Sequence, residues 1–96
     1  MPKAYIIATE AIKDPSGMAE YARAAAPAIT EGPGNVLALD PAPEVLEGDW
    51  RGRQTVLMEF ESVEAARAWY QSDAYQKVIP MRRAAADTDA VIVSGP

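Results

Sequence analysis

Two groups of side chains in this 96-residue chain have the types and spacing to do chemistry. The first is the run EGDWRGR, residues 47–53, which gathers Glu47, Trp50 and Arg53 with a second acid, a second arginine and two glycines. The second is dispersed: Tyr21, Trp69, Tyr75 and Arg82 lie in segments with helical patterning. A guanidinium presents a planar fork of donors that suits a carboxylate or enolate. A phenol both donates and accepts, and an indole offers a flat apolar platform with one N–H. The candidate ligand-binding residues are therefore Arg82, Tyr75, Tyr21, Trp69, Glu47, Trp50 and Arg53.

No catalytic residue follows from these types alone. The chain has no cysteine and no histidine, which removes the usual ligands for zinc, copper and haem as well as imidazole acid–base chemistry. No cofactor is expected, and a metal would have to be a hard cation held by carboxylates. Neither a G-x-S-x-G elbow nor an S-x-x-K motif is present, and the glycines at 32, 34, 48 and 52 match no phosphate loop. A buried carboxylate such as Glu47 or Glu59 is the remaining route to a general base.

Charge narrows the partners. Fourteen acids against nine bases give a net charge of −5, which opposes binding to nucleic acid or to an anionic membrane surface. The apolar run near the N-terminus is too short for a signal segment or a membrane span, so the expected location is cytoplasmic. Length and the absence of repeats or linkers imply one domain over residues 1–96.

Hydrophobic periodicity supplies the elements that must position these residues. KAYIIATE, residues 3–10, sets Ala4, Ile6 and Ala8 against Tyr5, Ile7 and Thr9, a strand apolar on both faces. Asp14 followed by Pro15 starts a helix whose inward arc holds Met18, Tyr21, Ala22, Ala25, Ala26, Ala28 and Ile29. Pro27 falls on its polar side, and EGPGN, residues 31–35, ends it. VLALD, residues 36–40, is a second strand, QTVLMEF, residues 54–60, a third, and Glu44–Leu46 a further short strand piece at most. Ser62 caps SVEAARAWYQ, Ser72 with Asp73 opens a helix reaching about Ala86, and DAVIVS, residues 89–94, is the last strand.

Strand, helix, two strands, helices, strand is the split βαβ order of a ferredoxin-like α+β domain, a βαββαβ antiparallel sheet with helices on one face. Nothing in the chain covers the other face. A patch of the Tyr5, Ile7, Leu57 and Val91 kind is large for a monomer, so a homodimer through the open sheet face is expected.

Helical wheels then place the candidates. Arg82 falls among Val78, Ile79, Ala85 and Ala86 on the inward face, where an unpaired guanidinium is costly. Its partner is an internal carboxylate such as Glu59, water at the rim reached by snorkelling, or an anionic ligand between helices and sheet. Tyr21 and Tyr75 also point inward and can join it around one cavity. The wheel centres Tyr70 with Ala66 in the core and leaves Trp69 partly exposed. In EGDWRGR, Gly48 and Gly52 supply turn conformations, Glu47 and Arg53 pair across a hairpin, and Trp50 covers the end of the sheet, a partner subunit or a pocket.

The run EVLEGDW, GR before a strand, EFESVEAARAWYQSDAYQ, then Arg82 with Ala85 and a closing VIVSG resembles the DUF1330 family over nearly the whole chain. The resemblance implies membership of the dimeric α/β-barrel superfamily, in which two ferredoxin-like subunits pack sheet to sheet. Relatives in that superfamily include cofactor-free monooxygenases, lactone isomerases, haem enzymes and ligand-sensing domains. Arg82 with Tyr21 and Tyr75 makes the expected site a pocket for a small apolar or aromatic anionic metabolite, and the resemblance adds cofactor-free isomerase or monooxygenase-like chemistry as the activity it could carry. A non-catalytic dimerisation or stress-associated module is the alternative.

Overall fold

The computed structural model describes residues 2–96 and is a four-stranded antiparallel sheet carrying its helices on one face. The elements are β1 (Ala4–Ile12), α1 (Pro15–Thr30), β2 (Asn35–Asp40), β3 (Gln54–Phe60), α2 (Val63–Tyr70), α3 (Asp73–Gln76), α4 (Ile79–Ala85) and β4 (Ala86–Ser94). The sheet order β2-β3-β1-β4 puts the two strands with apolar residues on both faces at the centre. This is the ferredoxin-like α+β arrangement that the element order predicts.

Three helix starts are written in the sequence as capping side chains. Asp14 accepts from the Gly17 N–H at 3.1 Å, Ser62 from Ala65 at 3.0 Å and Ser72 from Tyr75 at 3.3 Å. Each cap satisfies a donor that the first turn leaves without a partner, worth about 1 kcal/mol. Pro27 sits inside α1 without ending it: its ring is exposed, and the helix closes with the Glu31 N–H bonded to the Pro27 carbonyl.

The register sorts the two faces. Ala4, Ile6, Ala8 and Glu10 on β1 pair with Phe60, Met58, Val56 and Gln54 on β3, all on the helix side. Tyr5, Ile7 and Thr9 pair with Glu59, Leu57 and Thr55, and with Val93, Val91 and Asp89 of β4, on the side without helices. The core lies under α2, α3 and α4, where Phe60 and Ile79 are almost completely enclosed. β2 joins β3 with an irregularity between Val36 and Ala38, where Leu37 is the extra residue.

Several boundaries differ from the expectations, each for a local reason. The helix expected from Ser72 to about Ala86 is two helices, because Pro80 has no N–H to give the Gln76 carbonyl and its ring crowds that carbonyl. Turn-type bonds from Val78 to Tyr75 and from Met81 to Val78 bridge the gap. β4 begins at Ala86, three residues earlier than expected, because β1 continues to Ile12 and pairs Ile12, Ala11 and Glu10 with Ala86, Asp87 and Thr88. Glu44–Leu46 forms no strand. Gly32 and Gly34 end α1 without a left-handed turn; they are close-approach positions. A Cβ on Gly32 would lie 2.9 Å from the Trp69 indole, and one on Gly34 would lie 2.6 Å from the Phe60 ring.

Candidate functional site

Between α1 and the sheet lies a cavity of about 550 Å³. Its origin is in the sequence: the face that α1 turns to the sheet carries alanines at 19, 22, 25 and 26, side chains too short to fill the gap, and α1 packs chiefly on α4. Ile29, Val36, Leu39, Val56 and Met58 complete apolar walls. A cavity with such walls and a few convergent polar groups is the usual form of a small-molecule site.

Those polar groups are Tyr21, Tyr75, Arg82, Glu10 and Gln54. Arg82, 6% exposed, donates from Nη1 to the Tyr75 hydroxyl at 2.9 Å, and the Tyr21 and Tyr75 hydroxyls lie 2.6 Å apart. The phenol of Tyr75 is thus the middle of a three-membered chain running from α4 through α3 to α1. Burial alone would lower the Arg82 pKa, but the oxygens of Tyr75, Tyr70 and Tyr21 outweigh it, and the cation is held more firmly than usual. Tyr21 moves the other way in its consequence: burial, then Tyr75, holds its hydroxyl protonated well above the usual tyrosine range, while Arg82 opposes the shift.

Glu10, 4% exposed, accepts from Gln54 Nε2 at 2.8 Å across the β1–β3 ladder. No second donor to this carboxylate is present among the described residues, so one oxygen is left for the cavity. It lies near enough to Tyr21 to disfavour ionisation of the phenol. The site therefore combines a fixed cation with two phenols and a buried carboxylate beside an apolar space.

Trp69 supports this arrangement from behind. Its ring stacks on Tyr75 with centroids 4.3 Å apart, and its Nε1 donates to the Ala28 carbonyl at 2.9 Å. This corrects the expectation that Trp69 is partly exposed and Tyr70 is core: Trp69 is buried and Tyr70 half-buried. The wheel considered α2 alone, whereas the Gly32 backbone opposite makes room for an indole. Tyr70 instead tilts over Tyr75, with centroids 5.7 Å apart.

Two further expectations fail. Arg82 has no ion pair with Glu59, because the β3 register puts Glu59 on the other face, 3.5 Å from the Lys3 ammonium. The Glu47–Arg53 pair does not form among the described residues. The Arg53 N–H extends the sheet by bonding to the Glu10 carbonyl at 3.2 Å, and the loop's ion pair is Arg51 with Asp89 at 3.1 Å. Gly48 and Gly52 do adopt positive φ, 72° and 75°. Trp50, 48% exposed, donates from its indole to Thr55 Oγ1 at 2.9 Å, on the sheet face away from the cavity. The structure thus brings together Tyr21, Trp69, Tyr75 and Arg82 and leaves Glu47, Trp50 and Arg53 outside.

Glu10 and Gln54 were not among the sequence candidates. The signal was there: Glu10 continues the alternation of Ala4, Ile6 and Ala8, which places it inward.

Fold and site together define a ferredoxin-like domain with a polar-ended apolar cavity. The chain belongs to the DUF1330 family, a domain of unknown function, which it matches over residues 3–96. No curated protein matches it. Among solved structures it is similar to a protein of unknown function from Rhodopseudomonas palustris, with TM-score 0.79 and 17% identity over 99% of this chain and 83% of that one. A dimeric ferredoxin-like protein of unknown function from Jannaschia sp. CCS1 gives 0.73 and 17%, covering 95% and 97%. SnoaB, a cofactor-independent oxygenase from Streptomyces nogalater, gives 0.70 and 13%, covering 100% and 95%. These identities establish the fold.

Proposed function

We propose that the chain is a homodimer that binds a small apolar or aromatic metabolite with an acidic or enolisable end and catalyses its cofactor-free enolisation. The observation that carries this reading is the placement of Glu10 and the Arg82–Tyr75–Tyr21 chain around one otherwise apolar cavity. A carbonyl compound lies with its body under the alanine face of α1 and its oxygen toward Arg82 and the phenols. Glu10 takes a proton from the carbon next to the carbonyl, and the electron pair of that C–H bond moves into the oxygen as an enolate. Arg82 and the phenol O–H left free by the Tyr21–Tyr75 hydrogen bond stabilise that oxyanion. Return of the proton to a different carbon completes an isomerisation, and the acid is regenerated as carboxylate.

The dimer places a second copy on the face carrying Tyr5, Ile7, Leu57, Val91 and Val93, of which Val91 is 55% exposed. The similarity to a dimeric ferredoxin-like protein supports this choice of partner, and the similarity to a cofactor-independent oxygenase supports chemistry without a bound cofactor.

The experiment is a thermal-shift screen with aryl ketones, 1,3-diketones and aromatic keto acids, followed by proton NMR in heavy water. A ligand at a hundredfold excess over Kd raises stability by about 2.7 kcal/mol. For ligands that bind, exchange of the α-proton is expected with the wild type and its loss with Glu10→Gln. A panel without a hit, or exchange undiminished in Glu10→Gln, overturns the enolisation reading and leaves a structural module.

A further inference from the structure

Arg82 also lines a second recess, of about 430 Å³, on the side of α4 facing β4. Its wall is formed by Arg51, Tyr70, Arg82, Arg83, Asp87 and Thr88, and only Tyr70, Arg82 and Ala90 are shared with the apolar cavity. Two of the lining residues each keep a buried polar atom without a hydrogen-bond partner among the described residues: Arg82 its Nε and Thr88 its Oγ1. Leaving either so costs the full desolvation of the group, and two unsatisfied groups on one recess point to a missing acceptor.

The charges specify its sign. Three of the chain's nine basic residues meet at this recess, in a protein of net charge −5. Of the acids nearby, Asp87 is engaged by Lys13 at 3.2 Å and Asp89 by Arg51 at 3.1 Å. Arg82 and Arg83 have no ion pair among the described residues. Glu10 faces the apolar cavity and does not line the recess.

We propose that this recess is an oxyanion site, in which a carboxylate or phosphate oxygen accepts from Arg82 Nε–H and from the Thr88 hydroxyl while Arg83, which has no ion pair among the described residues, supplies surrounding positive charge. A guanidinium has five N–H donors, so Nη1 can remain on Tyr75 while Nε serves the anion. The inference shares Arg82 with the enolisation reading but does not depend on proton transfer. Anion titration and α-proton exchange are separate readouts, and either can fail alone.

The test follows the arginine Nε–H resonances of the 15N-labelled protein during titration with inorganic phosphate and, separately, with benzoate. A saturable shift of the Arg82 Nε–H is expected. Saturation by phosphate identifies a free anion as the ligand. Saturation by benzoate with only a weak phosphate response identifies the acid end of a molecule whose ring occupies the apolar cavity. Thr88→Val is expected to weaken binding roughly tenfold, since it removes a donor and keeps the shape. The surface variant Arg83→Gln, which breaks no ion pair and does not disturb the core, is expected to weaken it roughly threefold and to flatten its salt dependence. An Arg82 Nε–H that moves with neither anion, or affinities unchanged in both variants, overturns the site.

Discussion

At the scale of single residues, the weight falls on Arg82. It is a buried cation whose hydrogen-bond partner is a neutral phenol, an arrangement that makes sense when an anion is the remaining partner. Arg82→Met keeps the apolar stem and removes the charge, so stability should stay level or rise, by up to about 4 kcal/mol. Binding of acidic or enolisable ligands should be lost in calorimetry while the oligomeric state persists. A variant that simply fails to fold would instead assign Arg82 a structural role. Tyr21 carries a pH signature. Its hydroxyl stays protonated in the fold well beyond the usual tyrosine value, whereas the unfolded chain ionises near pH ~10. Stability is therefore complete below that pH and falls as pH rises above it, by at most about 1.4 kcal/mol per unit from this group. Chemical denaturation between neutral and strongly alkaline pH should show the decline, and Tyr21→Phe should reduce its slope. The inward positions of Arg82, Tyr75 and Tyr21 were legible from helical spacing, because a wheel reports the face of a helix. Their mutual hydrogen bonds were not, since these residues sit on three separate helices and only tertiary packing sets the distances.

At the scale of elements, α1 decides that there is a cavity at all. Its alanines give high helix propensity and little reach, so the helix is stable while the space beneath it stays open. The strands and caps could be read directly: alternation fixed the faces of β1 and β3, and Asp14, Ser62 and Ser72 each cap as their positions predict. What escaped were features set by a neighbour. The burial of Trp69 depends on the missing side chain at Gly32, and the division of the last helix depends on a proline whose effect reaches four residues back. Gly32→Ala tests the first dependence. Its Cβ would also lie 2.6 Å from the Ala28 carbonyl, and we expect a loss of about 1–3 kcal/mol in urea unfolding, with Trp69 becoming more accessible to acrylamide. Unchanged stability would mean that the α1–α2 junction yields easily.

At the scale of the whole molecule, the open sheet face predicts a solution species of twice the 10.3 kDa chain mass in sedimentation at micromolar concentration. A 10.3 kDa species would refute the pairing. Trp50→Ala should weaken the dimer and leave the cavity's ligands unaffected, because the indole lies on the open-face side and not on the cavity wall. The open face was legible from strand order and two-sided hydrophobicity, while the position of Trp50 needed the loop geometry set by Gly48 and Gly52. The same sheet has two free margins, and both are poor templates for another strand. The edge strand β4 carries Asp87 and Asp89 on the face without helices, and β2 is distorted at Leu37 and followed by Pro41 and Pro43. Charge, a bulge and proline each discourage strand addition. Growth by edge-to-edge stacking is thus discouraged at both margins, which steers a chain with so much exposed β-surface away from fibre formation.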